Sequence, residues 1–457
     1  MNKLDNFLIS ENSSIKEALR KININKKGLV IGVNKDGKAL GVATDGDIRR
    51  FLIKNSLDNK IGKVLNKDFT WADVGTSREV ILKQFDQAIR VIPQLDKKQR
   101  VVKVISADNF PIVDEGSIYV RSKSPVRVSF GGGGTDLTSF FEQHGGAVIN
   151  ATISLYSHAT LKIREDSEVH IYSKDLEDNI KLKSINSSSK KEKKFKLILS
   201  VVRAIRPNFG FDLYLYSDYP MNSGLGGSAV VASSIIGCFN QVRLDQWTNN
   251  EIAELAFQAE RIDMQLPGGW QDQYSTVTGG FNFMEFRSAG NLIHPIRMNK
   301  DIVRELEESL VLCDTGISHD SGNIHTDQRE ELEQKKILEQ VKKSKALVYD
   351  MRDTLLQGKL LDFGNKMDQA WKLKRTFSKK ISNNHLDGIY NLSKKHGALG
   401  GKLLGAGGGG FFLFFVPPEK RINLMNALSK KNLSLMPFTF EEEGLSSWKV
   451  REVSLKS

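Results

Sequence analysis

Two cysteines in 457 residues, Cys238 and Cys313, are too few for a disulfide framework or a thiolate metal site. Both stand in apolar contexts, Ile-Ile-Gly-Cys-Phe and Leu-Val-Leu-Cys-Asp, which predicts buried thiols. No apolar run approaches the length a bilayer requires, and the start Met1-Asn-Lys-Leu-Asp carries no secretory pattern. A cytoplasmic location without membrane contact is the expectation. His144, His158 and His319 lack metal-ligand spacing, so surface or hydrogen-bonding roles are expected for them. The net charge of +12 comes without aromatic interleaving or a nucleic-acid motif, and the basic run Lys190 to Lys196 follows a serine-rich stretch. That run reads as a solvated loop, and nucleic acid is not an expected partner. A positive field helps to capture anionic substrates without identifying them.

The length exceeds what one hydrophobic core supports, and an apolar content of 40% with 26% charged residues describes a globular chain of two or three domains. The first part repeats itself. Leu29 to Val33, a turn at Asn34 to Gly37, and Ala39 to Ala43 predict a β-hairpin, with a helix over Asp45 to Lys54. A shift of 62 positions brings Val91 to Leu95 onto Leu29 to Val33, and Ser106-Ala-Asp-Asn109 onto Thr44-Asp-Gly-Asp47. Helical stretches precede each copy, Ser14 to Ile22 and Ser77 to Ile89. The polar, punctuated segment Pro111 to Ser117 marks a boundary. Beyond it, Tyr119 to Phe130 and Ala147 to Ile163 predict strands, and Asp327 to Leu356 reads as helical. Phe411 to Val416 suits a buried strand, with a helix from Pro417 through Lys430 and a strand at Phe438 to Phe440 after it.

Residues 220–229, Pro-Met-Asn-Ser-Gly-Leu-Gly-Gly-Ser-Ala, lie between an alternating segment, Phe211 to Tyr216, and a small-residue apolar run, Ala229 to Phe239. A strand, a glycine-rich loop and a helix N-terminus in that order make a phosphate cradle, because glycines admit an anion to the backbone and first-turn N–H groups point at it. Ser228 adds a hydroxyl that could coordinate the metal travelling with a nucleotide. Gly224, Gly226 and Ala229 also fit a dinucleotide fingerprint, although Pro220 and the mid-chain position argue against it. A glycine-rich turn that only packs a helix fits the loop taken alone. Three further segments carry chemistry: Ser124 to Leu137 with Gly131-Gly-Gly-Gly-Thr-Asp136, Gln258-Ala-Glu260 with Gly268-Gly-Trp-Gln-Asp-Gln-Tyr274, and Lys402 to Phe411 with its run of glycines.

In this order the four segments resemble the GHMP kinase superfamily from about residue 120 onward, and within it the branch of heptose phosphate kinases. Val42 to Arg50 and the repeat resemble a tandem CBS pair. The fold implied is α+β. A CBS pair over 1–115 precedes a kinase with a ribosomal S5 domain 2-like, ATP-binding part over 118–298 and a ferredoxin-like part over 299–457. The activity implied is ATP- and Mg²⁺-dependent phosphorylation of the anomeric hydroxyl of D-glycero-D-manno-heptose 7-phosphate, in nucleotide-activated heptose and surface glycan synthesis. A kinase for unphosphorylated fucose or galactose, or a nucleotide sensor with a degenerate kinase part, stand as alternatives.

The same resemblance implies the roles. Asp272 and Arg127 are catalytic. Gly224, Leu225, Gly226, Gly227, Ser228 and Ala229 bind the ATP phosphates, and Gly133, Gly134, Asp136, Gly407 and Gly408 bind the sugar. Ser228 and Glu260 ligate the metal; many relatives carry a second serine where Gly227 stands. Apart from the resemblance, Glu260 reads as an exposed helix acid and Asp272 as a capping residue. Lys372, Lys374 and Arg375 beside Trp371, and Lys402, are candidates for a substrate phosphate, although a Lys/Arg cluster also suits a solvated helix face. Thr44 and Asp47 fit the ribose-binding element of a CBS pair, whereas Asn109 departs from it, so one adenine nucleotide per chain is expected. Such pairs associate face to face, which implies a homodimer.

Overall fold

A computed structural model describes residues 3–86, 88–109, 118–317, 321–332 and 334–451. These form two compact units, one ending at residue 109 and one beginning at 118. The segment Pro111 to Ser117, where the sequence places the boundary, lies outside the described residues, as does His319.

The first unit is a repeat in three dimensions. Strands β1 (Leu8–Ser10), β2 (Leu29–Val33) and β3 (Ala39–Thr44) form one sheet, with helices α1 (Ile15–Asn25) and α2 (Asp45–Leu52). The second copy has β4 (Ala72–Asp73), α3 (Arg78–Gln84), β5 (Val91–Leu95) and β6 (Val101–Ser106). In each sheet the first pair is parallel and the second antiparallel, and the register shifts at Gly32/Val33 and again at Gln94/Leu95. Those shifts are 62 residues apart, as the sequence offset requires. Lys38 bridges Arg100, its own equivalent, so the copies meet about a pseudo-two-fold axis. Ser14 and Ser77 cap α1 and α3 by accepting a first-turn N–H, the usual role of a helix-start serine. The second helix stops at Gln84 rather than Ile89, because the Asp86 carboxylate accepts the N–H groups of Ala88 and Ile89 and turns the chain.

The second unit opens with β7 (Ile118–Gly131), α4 (Thr138–His144), β8 (Gly146–Ile163), β9 (Val169–Ser173), β10 (Asp178–Leu182) and α5 (Lys196–Ile205). It continues through β11 (Phe211–Ser217), α6 (Gly227–Asn240), α7 (Asn249–Phe257), α8 (Gln271–Thr278), β12 (Phe281–Phe286) and β13 (Leu292–Pro295). The strand β8 is long enough to pair with β7 on one edge and with both β11 and β12 on the other. Helices α5, α6 and α7 bury their apolar faces against this sheet. The small side chains of α6 leave it buried over nearly its whole length, which fixes its N-terminus in place.

The remainder contains α9 (Lys300–Glu308), β14 (Leu310–Asp314), α10 (Ser321–Glu331), α11 (Lys335–Leu356), α12 (Leu360–Lys374) and α13 (Asn384–Lys395). Then follow β15 (Gly400–Leu403), β16 (Phe411–Phe415), α14 (Pro418–Ser429), β17 (Leu435–Met436) and β18 (Ser446–Arg451). The order β15-β16-β14-β17, antiparallel throughout, is the ferredoxin-like arrangement. Two expectations are corrected here. The strand after α14 is Leu435–Met436, while Phe440 makes only an isolated bridge to Ile153 and Phe438 packs into the core. The chain also does not stay in the second half: β18 returns to pair with β7 in the first sheet, so a division at 298/299 does not separate the two sheets cleanly.

Candidate active site

The glycine loop after β11 reaches α6 through three left-handed residues, Asn222 at φ 59°, Gly224 at φ 76° and Gly226 at φ 81°. A Cβ at Gly224 would lie 2.7 Å from the Leu404 carbonyl oxygen, and one at Gly405 would lie 2.7 Å from Gly224 Cα. Two glycine loops therefore pack backbone to backbone, which no side chain would permit. Gly226 caps α6 without a side chain, so the first-turn N–H groups of the helix remain open beside Gly227 and Ser228. Leu225 and Ala229 face the core instead. A Cβ at Gly227 would stand 3.0 Å from Tyr219, so a second serine there would need that ring to shift by a few tenths of an ångström.

Glu260 is buried, 1% exposed, and is not a surface acid. It sits in a π-turn, Gln258–Asp263, that widens the end of α7, a feature common at functional sites. One of its oxygens accepts the Ser228 hydroxyl and the other accepts Gln273 Nε2 at 2.7 Å. Among the described residues no cluster of three or more His, Cys, Asp or Glu could hold a metal alone. The adjacent hydroxyl and carboxylate fit a hard cation that takes its other ligands from water and phosphate.

Alternation along β7 sends Val126, Val128 and Phe130 into the core and Arg127 and Ser129 into the cavity. Arg127 Nε and Nη2 donate to the two oxygens of Asp272, each at 2.8 Å, and Nη1 donates to the Gly224 carbonyl at 2.8 Å. This ties the glycine loop to the second residue of α8. Trp270, stacked on Phe257 at 3.6 Å, anchors the start of that helix. Asp136 accepts the N–H groups of Gly134 (3.0 Å) and Gln271 (3.3 Å). Burial, and then the nearby Asp272 charge, push its carboxyl above the usual range.

Two lysines complete the wall. Of the basic run at the end of α12, Trp371 lies in the core, Lys372 pairs with Asp368 at 2.7 Å, and Arg375 pairs with Asp387 at 2.8 Å. Only Lys374 turns inward, donating to the Gly405 carbonyl. Burial lowers it to about 8. Lys402 on β15 donates to the Ser129 carbonyl at 2.8 Å, and burial together with neighbouring Lys374 and Arg127 hold it well below the ordinary lysine range.

These groups line one cavity of about 660 Å³. Its far lobe, with Leu176, Phe195, Ile198, Leu215 and Val231, is apolar and was not singled out from the sequence. No motif marks it, because those residues come from four separate elements. Gly407 and Gly408 are corrected. They do not line the cavity; a Cβ at Gly407 would strike Ile381, and Gly408 N–H donates to the Ile381 carbonyl, so this turn braces the wall behind Gly405 and Ala406. His158 stacks on Tyr216 and meets Asp218, and His144 packs on Phe140, both away from the cavity.

In the first unit Thr44 and Asp47 form a reciprocal capping box at the start of α2, and the second Asp47 oxygen meets Arg50. Their side chains are already committed to the helix and to each other.

Residues 196–280 match the GHMP kinases N terminal domain, residues 351–434 the GHMP kinases C terminal domain, and residues 1–54 the CBS domain. The D-glycero-alpha-D-manno-heptose 7-phosphate kinase of Campylobacter jejuni is 36% identical over 342 residues, which cover 72% of this chain and 99% of that protein. The bifunctional fucokinase/GDP-fucose pyrophosphorylase of Arabidopsis thaliana is 27% identical over 308 residues, 62% of this chain and 28% of that protein. A solved D-glycero-D-manno-heptose 1-phosphate kinase from Bacteroides thetaiotaomicron superposes with a TM-score of 0.62 at 29% identity, covering 73% of this chain and all of that one.

Proposed function

This chain belongs to the GHMP kinases and is an ATP-dependent sugar kinase of that family, and on that premise we propose that its acceptor is a heptose phosphate, D-glycero-D-manno-heptose 7-phosphate, phosphorylated at the anomeric hydroxyl. The product is then the 1,7-bisphosphate, a precursor of nucleotide-activated heptose and surface glycan. The observation that carries the reading is the Arg127–Asp272 pair, held at the junction of the phosphate loop and the Asp136 loop inside one cavity.

The geometry supports these roles. The apolar lobe suits the adenine, and the open N-terminus of α6 with its glycine loop suits the phosphates. Asp136, an acceptor toward polyols, holds the sugar beside Asp272. Ser228 and Glu260 are the proposed holders of Mg²⁺, which supplies charge neutralisation on the phosphates when bound. The acceptor hydroxyl oxygen forms a bond to the terminal phosphorus while the bond from phosphorus to the bridging oxygen breaks and ADP leaves. The hydroxyl proton passes toward Asp272, whose remaining lone pairs accept it while Arg127 fixes the carboxylate and offsets charge on the attacking oxygen.

ADP release measured over free and phosphorylated sugars tests the reading. Turnover with heptose 7-phosphate above all others is the expected result, and turnover confined to free fucose or galactose would replace it with the fucokinase-type reading that the second relative supports. We also propose one adenine nucleotide at Thr44 and Asp47 of the CBS unit, bound at the cost of the capping box, with dimerisation through that unit.

A further inference from the structure

The sugar side of the cavity gathers three basic side chains, Arg127, Lys374 and Lys402, against two carboxyls, Asp136 and Asp272. Arg127 and Asp272 satisfy each other, and Asp136 is held by backbone N–H groups. Lys374 (5% exposed) and Lys402 (1% exposed) have one carbonyl each and, among the described residues, no carboxylate at ion-pair distance. An ammonium taken out of water without a counter-ion is expensive, and its remaining donors are a ready seat for an anion.

The two lysines are not equivalent. Lys402, on the strand β15, bonds across to Ser129 on β7, where it braces the wall. Lys374 reaches in from the end of α12 beside Gly133. A Cβ at Gly133 would stand 3.3 Å from its Nζ and meet nothing else within 4 Å. The missing side chain therefore leaves the ammonium open toward the sugar loop. The other cations of the lining each have a carboxylate partner, Lys194 with Asp178 at 3.4 Å and Arg261 with Glu260 at 3.3 Å. We propose that Lys374 is the specificity residue that takes the acceptor's own phosphate, as a dianion carried by the sugar that Asp136 holds. The inference rests on the sugar-phosphate reading of the same site.

A phosphoryl dianion in this cavity has two sources, the acceptor and the group being transferred, and the test separates them. Steady-state kinetics are measured with D-glycero-D-manno-heptose 7-phosphate and with the unphosphorylated heptose, on wild type, Lys374→Met and Gly133→Ala. The expected result is a fall of about 10- to 100-fold in the preference for the phosphorylated acceptor in Lys374→Met, carried by KM. The preference is the ratio of kcat/KM for the two acceptors, so it is read apart from any loss common to both. Gly133 has no left-handed φ, so alanine fits its backbone and shields the ammonium; the same loss of preference, smaller, is expected there. Gly133→Ala also decides the matter if the methionine variant does not fold. Equal loss of kcat with both acceptors would assign Lys374 to the transferred group and overturn the proposal, as would an unchanged preference in a folded variant. A wild type that turns over neither acceptor would overturn the heptose reading itself, and this inference with it.

Discussion

Asp272 has both oxygens on one guanidinium, so its effectiveness depends on position more than on basicity. Asp272→Asn is expected to lower kcat about 100-fold or more, the usual range for a positioned acid–base group, while ATP affinity by calorimetry stays within a factor of two to three. Loss of both together would mean that the substitution had collapsed the Gly224 loop through Arg127. Lys374 sets a pH limit. Burial brings it to about 8, while the charges of Asp136 and Asp272 favour its cationic form and that of Arg127 opposes it. Its cationic form is the one that binds a dianion, so kcat/KM for the phosphorylated acceptor should fall as pH rises through about 8. The acceptor phosphate gains its proton below about pH 6, which leaves a window between the two. The free sugar should show neither the fall above 8 nor that lower limb, and a pH profile on both acceptors checks it.

Among the elements, the glycine loop and the π-turn carry the site. Gly224→Ala forces a side chain into a left-handed residue and against the Leu404 carbonyl. It should cost about 1–2 kcal/mol from the backbone alone, with more from the clash, measurable by urea unfolding. Ser228→Ala and Glu260→Gln each remove one hard oxygen from the pair that α6 and the π-turn bring together. Both should raise the Mg²⁺ concentration needed for half-maximal turnover, and an unchanged Mg²⁺ titration in both would discard the ligand assignment. Glu260→Gln also leaves one acceptor oxygen for the two donors Ser228 and Gln273, so thermal unfolding should accompany the titration.

For the whole molecule, the question is what the repeated first unit contributes. Its two halves share one register and one pattern of bulges, yet only the first offers a Thr-x-x-Asp at the end of its hairpin. Calorimetry of the full chain with AMP, with the kinase cavity blocked by a non-hydrolysable ATP analogue, should show one further site per chain that Asp47→Asn abolishes. Such a ligand regulates only if it prefers one conformation of the enzyme, and kinase rates with and without AMP measure that preference. Identical rates and no heat would leave the unit a scaffold.

The sequence alone determined the local chemistry. The order strand, glycine loop, helix was legible at 211–240 because hydrophobic period and glycine placement are properties of neighbouring residues. The 62-residue repeat was legible for the same reason, down to the positions of its turns. It could not show that Glu260 is buried, since an acid on a helix end looks alike in either environment until the π-turn and Gln273 enclose it. Nor could it choose Lys374 from a basic run whose other members pair with Asp368 and Asp387. It assigned Gly407 and Gly408 to the cavity when only Gly405 and Ala406 of that turn reach it, and it did not foresee β18 returning to β7. Each of these depends on contacts between segments far apart in the chain. Burial, ion pairing and the facing of a turn are decided by what packs opposite, and that partner exists only in the tertiary structure.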